Sequence, residues 1–154
     1  MKITREFTFD SAHILPNHSG KCKRLHGHTY RMVVSVEAVG SLEAGASGEG
    51  MLMDFGRLDE IARHVIISKW DHRFLANGDE WPFQYAPEEY LDQMCVVHVR
   101  TTAENLAQLA AKSIHDAILL EVGPTELYVT VQLYETPKSY ATVEYPYPGE
   151  QWDG

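Results

Sequence analysis

Residues 26–36 read HGHTYRMVVSV, an alternation of side chains that predicts a β-strand with one buried face. Side chains two residues apart project from the same face of a strand, so His26 and His28 begin this face. The face then becomes apolar, with Tyr30, Met32, Val34 and Val36. Burying an imidazole without a partner costs about 1–3 kcal/mol, so a ligand role explains the two histidines better than exposure to solvent does.

His13 adds a third imidazole from the preceding predicted strand. Three histidines without a fourth protein ligand are typical of catalytic zinc, which keeps one coordination position open. Cys22 then becomes a candidate acid or base rather than a ligand. The alternative is that His26 and His28 belong to an ordinary surface strand or loop.

Cys22 lies in a basic island, residues 21–24, within a chain of net charge −9. These cations stabilise a thiolate and can attract an anionic substrate. The alternative is an ordinary solvated loop. The overall negative charge argues against a nucleic-acid surface.

Length and composition predict one domain, residues 1–145, and a poorly ordered tail, 146–154. The chain has 154 residues, of which 44% are hydrophobic and 23% charged. It contains no apolar run long enough to cross a membrane, and its first residues lack the apolar core of a signal peptide. We therefore expect a cytoplasmic protein, in which Cys22 and Cys95 are free thiols.

The periodicity predicts an α+β fold of ββααββ order, with an antiparallel four-stranded sheet and two helices on one of its faces. Asp54 is a candidate N-cap for the first helix, which ends near Lys69. A capping box at Thr101 begins the second helix, and Gly123-Pro124 ends it. The predicted strands are 2–10, 27–38, 126–135 and 140–145.

Two further patterns suggest chemistry. Asp71 and His72 are adjacent, and a carboxylate beside an imidazole suits proton transfer, although a histidine at a helix end is often only a favourable charge. Glu135 falls in phase with the apolar row of the strand at 126–135. It either lies past the edge of the core or binds a cationic or hydrogen-bond-donating ligand.

The combined motifs resemble the family of 6-pyruvoyltetrahydropterin and 6-carboxytetrahydropterin synthases, over residues 2 to about 145. The motifs that carry the resemblance are residues 9–13, 50–55 and 102–105, Cys22-x-x-x-His26-Gly27-His28, Asp71-His72 and Glu135. The resemblance implies the tunnelling fold (T-fold), whose sheets join into a trimeric barrel that stacks into a hexamer. It also implies zinc on His13, His26 and His28, Cys22 as the base, Asp71 and His72 as a proton relay, Glu135 as the pterin anchor, and further pterin contacts from Thr101, Thr102 and Glu104.

The gap of three residues between Cys22 and His26 resembles the 6-carboxytetrahydropterin branch, which serves queuosine biosynthesis. The implied reaction converts 7,8-dihydroneopterin triphosphate to 6-carboxy-5,6,7,8-tetrahydropterin, releasing acetaldehyde and triphosphate. One alternative is a 6-pyruvoyltetrahydropterin synthase. The other is a non-catalytic zinc or pterin-binding module, but Cys22 argues against this module because a pure binder has no need of a thiol. Two features depart from the family pattern: Arg100-Thr101 stands where proline is common before Thr102, and the segment 78–98 is longer than usual.

Overall fold

A computed structural model of the chain describes residues 1–43, 45, 48–78 and 88–147, without the side chains of 89 and 90. Most of the tail that the sequence predicts to be poorly ordered, and residues 79–87 of the long segment 78–98, lie outside the described residues. No helix in the described part of the chain is long and apolar enough to cross a membrane.

The six strands of the structure form one sheet in the order β4-β3-β1-β2-β5-β6. Neighbouring strands are antiparallel from β1 through β2 and β5 to β6, while β3 runs parallel to β1, and β4 runs parallel to β3. The strands are β1 (Lys2–His13), β2 (His26–Ala38), β3 (Arg73–Asn77), β4 (Met94–Val97), β5 (Leu127–Thr136) and β6 (Ser139–Tyr145).

The four predicted strands are confirmed. The prediction of a wholly antiparallel four-stranded sheet is wrong, because the sheet also contains the parallel strands β3 and β4. These strands have five and four residues. Segments so short show too little alternation to be recognised, and β3 exists because it pairs with the last three residues of β1.

The first helical segment comprises α1 (Phe55–Ala62), a π-helical turn (Arg63–Ile67) and α2 (Ser68–Trp70). Its predicted N-cap is confirmed, because the Asp54 carboxylate accepts a hydrogen bond from the backbone N–H of Gly56.

The second predicted helix is α3 (Ala103–Val122), which begins two residues after the predicted start at Thr101. Its N-cap is Thr102, whose hydroxyl accepts from the backbone N–H of Asn105. The capping box predicted from Thr101 to Glu104 is therefore wrong. Gly123, with φ of 80°, ends the helix as expected.

The helices cover the face of the sheet on which the apolar side chains of the strands lie, as the sequence predicts. Side chains from this face and from both helical segments form one hydrophobic core. Fully buried members include Met32, Val34, Val36, Leu58, Leu106, Ile114, Val129 and Val131. This packing fixes the ends of β1 and β2, where the three histidines lie.

The loop between β1 and β2 folds back on itself. The backbone N–H of Leu15 donates to the carbonyl oxygen of Cys22 across 2.9 Å. This contact brings the short 3₁₀ turn Lys21–Lys23 beside the end of β1.

Candidate metal centre

Three histidines converge where β1 ends and β2 begins. His13 pairs directly with His26 in the antiparallel register, and His28 lies opposite Ser11, so all three imidazoles project from the core face. Their potential ligand atoms all lie within 4.8 Å of one another. His13 is only 1% exposed, whereas His26 and His28 are half-buried. The site thus has one wall in the core and an open side.

Backbone carbonyls orient two of the rings. The Nδ1 atom of His13 donates to Thr101 O, and that of His26 donates to Arg24 O, each across 2.7 Å. A carbonyl oxygen can only accept, so each neutral ring carries its hydrogen on Nδ1. The Nε2 atoms of the two rings, 3.1 Å apart, both present lone pairs to the same space. This is the arrangement of metal-binding histidines.

The third ring supplies the test of fit. His28 Nε2 is buried, and among the described residues it has no hydrogen-bond partner. A buried polar atom without a partner is costly, and a metal ion shared with His13 and His26 satisfies it. The three histidines therefore form a group that can hold a metal ion.

Electrostatics keep His13 in the form that binds metal. Burial lowers its pKa to about 4, against the opposing effect of the hydrogen bond to Thr101 and with added repulsion from His26 and His28. The ring is therefore neutral at pH 7, as a metal ligand must be.

Glu135 lies at the rim of this group. Its Oε1 is 3.8 Å from His13 Nε2, and its side chain is 25% exposed. An irregularity in the pairing of β5 with β6 between Tyr134 and Thr136 accompanies this position. The carboxylate also faces the buried phenol of Tyr30, whose pKa is raised by burial and further by the charge of Glu135. Glu135 can thus accept hydrogen bonds from a molecule bound beside the histidines.

Asp71 and His72 form a hydrogen-bonded pair anchored to β1. His72 Nδ1 donates to Asp71 Oδ1 across 2.8 Å, and the same oxygen accepts from the backbone N–H of Asp10. Partial burial acts to raise the pKa of Asp71, but these hydrogen bonds and the charge of His72 outweigh it and lower the pKa. His72 has φ of 57°, a left-handed conformation that its backbone bond to Asp10 O supports.

The structure does not bring this pair into the histidine group of the same chain. The His72 side chain is 77% exposed and borders an open cavity of about 550 Å³, which His28, Asp10 and Arg73 also line. In the described part of the chain no hydrogen bond joins Asp71 or His72 to the three histidines.

The remaining predicted site residues are Cys22, Thr101, Thr102 and Glu104, of which Thr101 contacts the histidine group. Cys22 is half-buried in the 3₁₀ turn, and its sulfur is not part of the ligand group. Thr101 is completely buried, and its hydroxyl donates to Ile14 O, so it presents its carbonyl to His13 and no side chain to a ligand. Thr102 caps α3, and Glu104 is exposed in the first turn of that helix.

Two groups of the site have no side-chain signal in the sequence. They are the carbonyls of Thr101 and Arg24, which orient His13 and His26. A backbone acceptor is available at every residue, so only the folded chain shows which ones serve the histidines.

Comparison with known proteins assigns the chain to a family. The family model for 6-pyruvoyl tetrahydropterin synthase matches residues 2–146. The chain belongs to this family. Members are lyase-type pterin synthases, and the prediction of such an enzyme is confirmed.

Relatives named as the 6-carboxy enzyme extend over most of the chain. A 6-carboxy-5,6,7,8-tetrahydropterin synthase from Haemophilus influenzae is 34% identical over 142 residues, which is 90% of this chain and 95% of the relative. A probable enzyme of the same name from Halobacterium salinarum is 33% identical over 86% of this chain and 79% of the relative.

Solved structures share the T-fold at lower sequence identity. An uncharacterized protein from Wolinella succinogenes has a TM-score of 0.73 at 22% identity, over 94% of this chain and 98% of that one. The 6-pyruvoyl tetrahydropterin synthase of Plasmodium falciparum has a TM-score of 0.70 at 19% identity, over 94% and 96%. The predicted T-fold is thereby confirmed.

Proposed function

We propose that this enzyme converts 7,8-dihydroneopterin triphosphate to 6-carboxy-5,6,7,8-tetrahydropterin, with release of acetaldehyde and triphosphate. The observation that carries the proposal is the convergence of three imidazoles beside the carboxylate of Glu135, with Cys22 held next to the end of β1. The full-length relatives named as the 6-carboxy enzyme support this branch of the family.

His13, His26 and His28 would hold zinc, since three imidazoles with an open side suit a catalytic zinc site. Bound zinc supplies Lewis-acid chemistry, polarising substrate oxygens and acidifying the groups attached to them. The carbonyls of Thr101 and Arg24 keep the rings of His13 and His26 in the required orientation.

Glu135 would anchor the pterin ring. The amino and ring N–H groups at one edge of a pterin are hydrogen-bond donors, and a carboxylate accepts two of them with good geometry. Because Glu135 lies beside His13, a pterin ring anchored on this carboxylate would have its own side chain near the three histidines. Thr102 and Glu104, at the start of α3, would add contacts to the pterin, whereas Thr101 would act through its carbonyl.

Cys22 would remove a proton from the substrate side chain. Lys21, Lys23 and Arg24 are exposed cations next to it in sequence, and cations favour the thiolate, which is the form that accepts a proton. These cations would also attract the triphosphate of the substrate.

Asp71 and His72 would serve as a proton relay in the site of a neighbouring subunit. They lie outside the histidine group of their own chain, and His72 is largely exposed. The sheet offers edges for assembly, because β3 covers only residues 11–13 of β1 and β6 has β5 as its one neighbour within the described residues. We therefore propose a homo-oligomer, a trimer or a hexamer, of single-domain chains spanning residues 1–145.

The product would enter queuosine and other 7-deazaguanine biosynthesis in the cytoplasm. The second candidate is a 6-pyruvoyl tetrahydropterin synthase, favoured by the family model that matches the chain. It would share the metal, Cys22 and Glu135, but would stop after loss of triphosphate.

Incubation of the zinc-loaded protein with 7,8-dihydroneopterin triphosphate, followed by mass spectrometry, tests the proposal. We expect a 6-carboxypterin and acetaldehyde. A pyruvoyl product would identify the second candidate, and unchanged substrate would leave a zinc or pterin-binding module.

A further inference from the structure

Arg100 stands immediately before Thr101, whose carbonyl orients His13, and Thr102, which caps α3. Its guanidinium Nη2 donates to the carbonyl oxygen of Pro16 across 2.7 Å, a contact that is partly buried. Its own carbonyl accepts from the backbone N–H of Thr102 and from the side-chain Nδ2 of Asn105. The arginine is therefore fixed to the start of α3 at its backbone and to the loop after β1 at its tip.

Residues 14–16 form a strip of backbone held on both edges. On one edge, Ile14 O and Pro16 O accept from Thr101 Oγ1 and Arg100 Nη2. On the other edge, the N–H of Leu15 donates to Cys22 O. Leu15 O also accepts from the backbone N–H of His18 across 3.1 Å, so four hydrogen bonds hold this strip, which has no strand neighbour of its own among the described residues.

We infer that Arg100 is a positioning residue for Cys22. The inference rests on the proposed function, in which Cys22 is the base. The guanidinium holds Pro16, the strip carries Leu15, and Leu15 holds the turn in which Cys22 lies. Thr101, the next residue, orients His13, so one short segment sets the relative positions of the metal ligand and the thiol.

Arg100→Met tests this role, because methionine keeps much of the aliphatic stem and removes the donor to Pro16. Amide hydrogen exchange at Leu15 should become about tenfold faster, the change that corresponds to loss of one hydrogen bond. Cys22, half-buried in the wild type, should react faster with iodoacetamide. Turnover should fall about 10-fold to 100-fold through misplacement of the base, with bound zinc and KM little changed.

Compared with Arg100→Met, Arg100→Lys should have higher turnover and slower amide hydrogen exchange at Leu15, since lysine keeps a charged donor on a shorter side chain. Arg63→Met is the matched control, since it removes an exposed arginine paired with Asp59 on the helical side of the sheet. It should leave the exchange and alkylation rates, turnover, bound zinc and KM at wild-type values.

The exchange and alkylation readouts need no turnover, so they decide the inference even if the wild type does not make the proposed product. Wild-type rates for Leu15 and Cys22 in Arg100→Met would overturn the inference. Loss of zinc in Arg100→Met and Arg100→Lys alike would also overturn it, because Arg100 would then support the metal ligands or the fold as a whole.

Discussion

His13 donates its Nδ1 hydrogen to the carbonyl oxygen of Thr101 across 2.7 Å, a bond that spans 88 residues of sequence. It joins the end of β1 to the residue before the cap of α3. The metal centre is therefore built from the sheet and positioned by the helical layer. Packing between these two layers determines whether the three imidazoles converge.

Replacing one ligand should abolish metal binding without unfolding the chain. His26 is half-buried at the open side of the group, so His26→Ala should fold normally and retain far less than one zinc per chain. Cys95→Ala is the control, because Cys95 lies on β4 and burial raises the pKa of its thiol. Metal analysis of both variants checks this, and full zinc occupancy in His26→Ala would refute the assignment.

Glu135→Gln should fold well and bind pterin poorly. Removing the charge from a carboxylate that accepts ring N–H groups should weaken binding by about 1.5–3 kcal/mol. Titration with neopterin, followed by ring fluorescence, measures the affinity. If the variant binds neopterin as tightly as the wild type does, the carboxylate is structural only.

Cys22→Ala should retain zinc and bind substrate, yet lose turnover by about 10²–10⁴-fold, the usual range for a positioned general base. Single-turnover rates with 7,8-dihydroneopterin triphosphate provide the measurement. Near-normal rates would transfer the role of base to His72.

Two inactive variants should complement each other if the site is shared between subunits. Mixed oligomers of Cys22→Ala and His72→Ala chains contain some sites with both wild-type residues, so partial activity should return. Native mass spectrometry verifies mixing. Verified mixed oligomers that stay inactive would place the relay within one chain.

The metal-free protein should lose stability as the pH falls. The pKa of His13 is lowered from 6.5 in the unfolded chain to about 4 in the folded one. The contribution of the neutral ring to the free energy of unfolding is therefore complete above pH 6.5, and it is lost progressively as the pH falls towards 4. Melting curves of the metal-free protein between pH 7 and 4.5 measure this loss. His13→Gln should show a shallower decline, and an equal decline would mean that other groups cause it.

The long regular elements could be predicted from the sequence, because their periodicity extends over many residues. One example is the row of β2 side chains that begins at His26, and another is the row of β5 side chains that ends at Glu135. Both rows lie on the core face as expected. The strands β3 and β4 could not be predicted, since they are short and pair with residues remote in sequence. The cap of α3 was predicted one residue too early, because Thr101 and Thr102 are both suitable caps.

The candidate site was predictable to a similar degree. Histidine spacing on one strand face indicated the cluster, but its orienting carbonyls carry no sequence signal. The adjacency of Asp71 and His72 in the sequence likewise could not show that they lie outside the group of metal-ligand histidines. Both residues bond instead to the backbone of Asp10, and His72 has a left-handed backbone.

The central claim is that three histidines hold a catalytic zinc ion while Cys22 remains free for chemistry. X-ray absorption at the zinc K-edge of the loaded protein tests it most directly. We expect three imidazole nitrogens at about 2.0–2.1 Å, no sulfur, and a spectrum unchanged by Cys22→Ala. A sulfur ligand at about 2.3 Å that disappears in Cys22→Ala would contradict the account, because the thiol would then be a ligand and not the base.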